Sequence, residues 1–297
     1  MTQETGTAAG PNPLLARGPA QEIAPGVYVI PDRRVNLVPN IGIVLGDDAV
    51  LVVDTAMGPA NGTFVREEAR RLGGSRRTYL TITHFHPEHG FGAQSFAGHA
   101  RIVYNRAQAK ELAESGTEFV EMFKGFGPEV AELLEPVELM QPDETYDGRL
   151  ELDLGGRVAQ LIELGGAHTK GDQVVLLPAE SVLFAGDLVE NRFFPIVFGD
   201  VADGPRWIET LGRLAELDAA TVVPGHGEVG GAELIADQRA YLIHVRDLVA
   251  ERSGDDADAV ASELGPQIRE RYSSWDNPEW IDWAIRNFHR RGGGQTA

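Results

Sequence analysis

The 297-residue chain is 42% hydrophobic, enough for the core of one large domain, and carries 26 basic against 45 acidic residues, a net charge of −19, with no cysteine. That charge disfavours nucleic-acid phosphates and anionic membrane surfaces as main partners, but not a small anionic substrate, because a bound metal inverts the local field. Without cysteine there are no disulfides, no thiolate zinc sites and no thiol catalysis, so any metal has to be held by His, Asp and Glu.

Residues 1–20, rich in Gly, Pro, Ala and Thr, read as a flexible lead-in. They lack a basic segment followed by an apolar one, and no run of about 18 apolar residues occurs later; the expectation is a cytoplasmic protein without a membrane span. Short β-type runs follow at 27–30, 41–45 and 49–53, the last two joined by a hairpin turn at Asp47-Asp48. Helical spacing over 60–72 stops at Gly73-Gly74, and 78–83 is a buried-type strand. Residues 105–139 form an amphipathic helical insert, broken near Gly125-Phe126-Gly127-Pro128. Strands return at 149–153, 157–163, 173–177 and 181–185, then a helix at 205–217 and a strand at 220–223. From 231 the pattern is helical, with a frayed tail at Gly292-Gly293-Gly294. Strands, helix and strands, twice over, indicate a mixed α/β layered sandwich. The division expected is a lead-in (1–20), one domain (21–245) carrying the 105–139 insert, and a helical C-terminal extension (246–297). Trp275, Trp280 and Trp283 in that extension suit either a homodimer contact or an anchor to their own domain, the second being preferred.

Five of the eight histidines fall in three of four short segments that share one context: an apolar strand-like run opening into a Gly-containing turn. The segments are Thr83-His84-Phe85-His86-Pro87-Glu88-His89-Gly90, Gly165-Gly166-Ala167-His168-Thr169, Phe184-Ala185-Gly186-Asp187 and Val223-Pro224-Gly225-His226-Gly227. Loops beyond strand ends collect in one crevice of an α/β sheet, so these side chains can converge. In an extended stretch residues two apart point the same way, so His84 and His86 can share one metal. Pro87 then turns the chain, sending Glu88 and His89 toward a second position. Imidazole and carboxylate suit zinc, iron or manganese. His99, His244 and His289 lie outside these segments and read as surface or packing residues.

Together the four segments resemble the signature of the metallo-β-lactamase superfamily: His-x-His-x-Asp-His, then a lone His, an Asp and a final His. The resemblance covers residues 25–245 and includes Leu51-Val52-Val53-Asp54-Thr55 as the family's early strand, whose Asp braces the metal loops. It implies a four-layer αββα sandwich of two similar halves. It also implies two divalent ions, zinc first with iron or manganese as alternatives. His84, His86 and His168 would hold the first ion, Glu88, His89 and His226 the second, with Asp187 bridging. Glu88 departs from the family's Asp by one methylene, ~1.5 Å of reach, which bears on how it would hold the second ion.

The chemistry expected is hydrolysis by a hydroxide shared between two ions, with Asp187 or Glu88 orienting it and taking its proton. Asp54 and Asp172 are expected to fix ligand orientation from behind. The family's range implies an ester, thioester, lactone, phosphoester or sulfate ester of a small molecule, with weak β-lactamase activity at most. Arg192, Phe193 and Phe194 could line the pocket, or pack at a sheet edge. Phe119, Met122, Phe123 and Phe126 suit either a lid or an apolar face packed on the sandwich, and packing is preferred. The competing readings are iron-dependent persulfide oxidation on the same fold and a non-catalytic metal-binding module.

Overall fold

The computed structural model describes residues 19–252 and 254–292. The expected lead-in therefore lies outside the described residues as far as residue 18, and the expected tail from residue 293 onward.

The chain opens with β1 (Gln21–Ala24), β2 (Val27–Ile30), β3 (Ile41–Leu45) and β4 (Ala49–Val53), each antiparallel to the next. Helix α1 (Gly58–Gly73) then crosses over to β5 (Arg77–Thr81), parallel to β4. Gly74, at φ +67°, closes α1 in a conformation that disfavours any residue with a Cβ. The one-turn helix α2 (Pro87–Gly90) follows, then β6 (Arg101–Asn105), α3 (Arg106–Lys124), α4 (Pro128–Leu134) and the edge strand β7 (Glu144–Tyr146). These seven strands form one mixed sheet in chain order.

The second sheet contains β8 (Arg149–Asp153), β9 (Val158–Glu163), β10 (Gln173–Leu177), β11 (Val182–Gly186) and β12 (Thr221–Pro224). Here too an antiparallel pair, β10 and β11, leads through a helix, α5 (Gly204–Ala215), to a parallel strand, β12. This repeats β3-β4-α1-β5 and gives the two similar halves. Helices α6 (Glu233–Ala250), α7 (Ala257–Arg271) and α8 (Ile281–Gly292) complete the chain.

The pleat sorts side chains into three cores. Leu51 and Val53 of β4, with Val175 and Leu177 of β10, fill the space between the sheets. Val50 and Val52 point the other way, beneath Val65 and Ala69 of α1 and Leu112 of α3. Val174 and Leu176 face Trp207, Leu242, Ile268 and Ile285 from the four later helices. The result is an αββα sandwich with a helical insert and C-terminal helices. The boundary expected at 245 falls inside α6, and α7 and α8 share one continuous core with the second sheet. No helix among the described residues is long and apolar enough to cross a membrane.

β6 and β7 are not legible as strands in the sequence, and β6 runs directly into α3, whose Asn105 cap accepts from Gln108 N at 2.8 Å. The insert is anchored at its base. Gln108 Nε2 donates to Ile82 O at 2.8 Å, and Glu111 Oε2 accepts from Gly171 N at 2.9 Å. Those bonds are buried and tie α3 to the His84 and His168 loops, and Leu112 and Phe123 of the same helix are buried. Of the four apolar residues named for the insert, Phe123 is packed and Phe119 half-buried, while Met122 and Phe126 are exposed.

Candidate metal centre

Strands β4 and β5 are parallel, as are β11 and β12, and β9 runs with β11 because both are antiparallel to β10. The C-terminal ends of β9, β11 and β12 thus share one edge of their sheet, as those of β4 and β5 do in the other. All the motif residues follow such ends: Asp54 after β4, His84 after β5, His168 after β9, Asp187 after β11 and His226 after β12.

Two groups of side chains converge there, one of His84, His86 and His168, the other of Glu88, His89, Asp187 and His226, with the donor atoms of each group within 4.8 Å of one another. Pro87 opens the single turn of α2 and carries Glu88 and His89 from the first group to the second. Asp187 stands between the groups. Its Oδ2 lies 3.8 Å from both His84 Nε2 and His168 Nε2, while its Oδ1 lies 3.1 Å from His89 Nε2 and 3.7 Å from His226 Nε2. Gly225 permits this approach: a Cβ there would sit 1.9 Å from Asp187 Oδ1. His86 and His226, one from each group, are the half-buried members, and the other five are buried.

The donor set fits a pair of divalent ions. His84 Nε2, His89 Nε2, Glu88 Oε2 and both Asp187 oxygens are buried without a hydrogen bond of acceptable geometry, an arrangement that a cation among them would satisfy. The opposite ring nitrogens are held. Nδ1 of His89 lies 2.9 Å from Asp54 Oδ2, that of His168 3.2 Å from Ile196 O, and that of His226 3.0 Å from Val38 O. An acceptor at Nδ1 fixes a proton there and turns Nε2 toward the centre, where it is a lone pair once the ring is neutral. Asp54, at φ +69°, also accepts from Thr83 N at 2.6 Å and Thr83 Oγ1 at 2.9 Å. Asp172 acts on backbone, accepting from the amides of Ala167, His168 and Thr169 at 3.1, 2.8 and 2.8 Å. Burial pushes its carboxyl up to about 7 against those donors.

The two groups differ electrostatically. Burial, and the neighbouring imidazoles, hold His84 and His86 well below the usual imidazole value, and burial lowers His168 and His226. Burial works against the charge on His89 too, but Asp187 and Asp54 outweigh it and hold His89 well above the usual value. Burial raises the Glu88 carboxyl to about 7, while for Asp187 the surrounding imidazoles overcome burial and keep it well below the carboxylate range.

Of the three residues expected to line a pocket, the structure separates two. Phe193 is near the centre, its ring 6.0 Å from that of His226 and 4.4 Å from the Arg34 guanidinium. Phe194 is a correction: it is fully buried in an aromatic cluster with Tyr241, Tyr272 and Trp275. Arg192 has an exposed side chain and is engaged through its carbonyl, which accepts from Arg34 Nη2 and Asp276 N at 3.1 and 2.9 Å. Trp275 is thereby an anchor of the C-terminal segment, and Trp280 stacks on Trp283, which meets Phe198 at 4.9 Å. Phe119 has the more direct role, stacking on His86 at 5.0 Å.

Sequence reasoning missed the brace behind His226. Asn40 Nδ2 donates to Pro224 O and Gly227 O at 3.0 and 2.7 Å, and Asn40 N donates to Gly225 O at 2.8 Å. Asp32 Oδ2 accepts from Gly227 N at 2.8 Å, and Asp32 N donates to Asn40 Oδ1 at 3.0 Å. Replacing Asn40 with Ala strands two buried carbonyls and frees the His226 loop. The expected result in a zinc titration of the metal-free protein is one ion bound as in wild type and the other weakened about 10- to 100-fold. Equal weakening of both ions would show that the brace is not specific to His226.

An αββα sandwich with seven converging His, Glu and Asp side chains at one edge defines a binuclear metalloprotein. A profile of the metallo-β-lactamase superfamily matches residues 35–226, and the chain belongs to that superfamily. It is 38% identical over 97 residues to a type 2 metallo-β-lactamase from Bacteroides fragilis, covering 32% of this chain and 39% of that one. It is 22% identical over 237 residues to a linear primary-alkylsulfatase from Pseudomonas sp. (strain ATCC 19151), covering 68% and 44%. The chain thus spans less than half the length of each of these two relatives. A metallo-β-lactamase family protein from Thermus thermophilus shares the fold, with a TM-score of 0.66 at 19% identity over 93% of this chain and 96% of its own.

Proposed function

We propose that the protein is a binuclear metallo-hydrolase that cleaves an ester, thioester or lactone in a small molecule with an apolar acyl portion, with zinc as the resident ion and iron or manganese as alternatives. The observation that carries this reading is Asp187, whose two oxygens face the two groups of imidazoles separately. Two divalent ions bound there would supply Lewis acidity, lowering the pKa of a water from 15.7 to about 7. In the roles we assign, His84, His86 and His168 hold one ion, Glu88, His89 and His226 the other, and Asp187 bridges. Asp187, kept ionised by its imidazoles, orients the attacking water, and Glu88 accepts its proton. Asp54 keeps the His89 ring in register.

The apolar preference rests on the rings next to the histidines. Beyond the stack on His86, Phe119 lies 6.3 Å from Phe123, which lies 4.8 Å from the exposed Phe126. Phe193 flanks His226 on the other side. The alkylsulfatase relative keeps a sulfate ester among the bonds to test, and the type 2 metallo-β-lactamase keeps a β-lactam as a weak substrate.

The test is turnover of p-nitrophenyl esters from acetate to octanoate by zinc-loaded protein, beside a thioester, a lactone, an alkyl sulfate and a β-lactam. We expect chelator-sensitive ester cleavage with kcat/KM rising by up to about fourfold per methylene, the value for full burial. Phe119→Ala should flatten that rise. A wild-type series flat from the start removes the apolar reading, and two tightly held ions with no turnover of any class overturn the hydrolase reading.

A further inference from the structure

Glu190 lies three residues beyond Asp187 and is only 3% exposed. Neither of its carboxyl oxygens has a hydrogen-bond partner, and among the described residues only Asp187 shares that property of two buried, unpartnered side-chain oxygens. The backbone around it is fixed: Glu190 N donates to Gln238 Oε1 at 2.7 Å, and Asn191 N donates to His226 O at 2.9 Å. Burial holds its carboxyl well above the usual range, with Asp187, Glu88 and Asp32 adding to the rise and His89 opposing it. Three of these four are acids, and the fourth, His89, is already engaged by Asp187 and Asp54.

A buried acid normally escapes its desolvation penalty by accepting from an amide, a hydroxyl or a cationic side chain. Glu190 has none of these, and protonation would leave an O–H without an acceptor as well. Its main chain is tied to the loop of the second metal group: Asn191 N donates to His226 O, Gly225 N donates to Val189 O at 3.0 Å, and Asp32 braces the same loop through Gly227. Its oxygens stay outside the compact set formed by Glu88, His89, Asp187 and His226.

We propose that Glu190 is an outer carboxyl of the second metal position, accepting hydrogen bonds from water held by that ion and strengthening its binding without affecting the first. This rests on the binuclear reading above, and it makes the second position richer in oxygen than its ligands alone suggest. Partners of this kind are worth about 10- to 100-fold in metal affinity.

The experiment is calorimetric titration of the metal-free full chain with zinc, for wild type, Glu190→Gln and Glu190→Asp, with circular dichroism to establish that each variant is folded. We expect two ions in wild type. In Glu190→Gln the second should weaken about 10- to 100-fold and the first stay within about twofold, with partial recovery in Glu190→Asp. If Glu190 is merely a buried acid, neutralising it raises the melting temperature of the metal-free protein and leaves both affinities unchanged, which overturns the proposal. A wild-type chain that takes up a single ion overturns the binuclear reading and this assignment with it. Two ions in wild type, matched by Glu190→Gln, overturn only the role of Glu190.

Discussion

Replacing Asp187 with Ala should remove one ion outright, loosen the other, and lower turnover by at least about two orders of magnitude, more than the 10- to 100-fold loss typical of residues one layer further out. The expectation follows from the split between its two oxygens, one 3.8 Å from His84 and His168, the other 3.1 Å from His89. Asp187 places one oxygen against each group, so the loss is shared by both. Asp187→Asn separates charge from shape. It keeps one oxygen and the packing beside Gly225 but gives up the anion that faces four imidazoles. We expect it to retain one ion by elemental analysis and to turn over far more slowly than wild type. An Asp187→Asn protein with two ions and near-wild-type kcat would sink the bridging assignment and the mechanism built on it.

What the sequence discloses follows from how narrowly each feature is constrained. Metal ligation limits residue type, so His84, His86, Glu88, His89, His168, Asp187 and His226 can be picked out in four short segments without the fold. The strands around them show in their buried apolar runs, as in the Ala49–Val53 strand. Phe194 misleads for a geometric reason: neighbours in an extended segment point to opposite sides, so Phe193 and Phe194 cannot both face the centre. The Asn40 brace is invisible because it bonds to main-chain carbonyls of residues 184 and 187 positions away, which leave no trace in side-chain pattern. Glu190 escapes notice for a similar reason, since in sequence it is one more acid in a chain that has 45 acidic residues. Burial without a partner sets it apart, and only coordinates reveal that.

The two ions should differ sharply in how their binding depends on pH. His84, His86 and His168 are held below the usual imidazole value, so near neutral pH the first group is already neutral and binds an ion without releasing protons. The second group is not ready in the same way. His89 is held well above the usual value, and Glu88 sits at about 7, so at pH 6 both carry protons that an ion must displace. Because the free protein holds protons that the loaded protein lacks, affinity for the second ion rises with pH. The slope should be on the order of 100-fold per unit below pH 7, where two protons leave, and about tenfold per unit above it, where Glu88 is already ionised and only His89 still gives one up. Calorimetry at pH 6 in two buffers of different protonation enthalpy reads the released protons directly, with about two expected for the second ion and none for the first. Equal proton release for both ions would mean that Asp187 and Asp54 do not hold His89 protonated, and the electrostatic distinction between the two groups would then fail. The same linkage gives the proposed hydrolysis a testable acid limb: activity that needs both ions should fall below pH 7 at low zinc and recover when zinc is raised, because excess ion competes with the protons for the same donors.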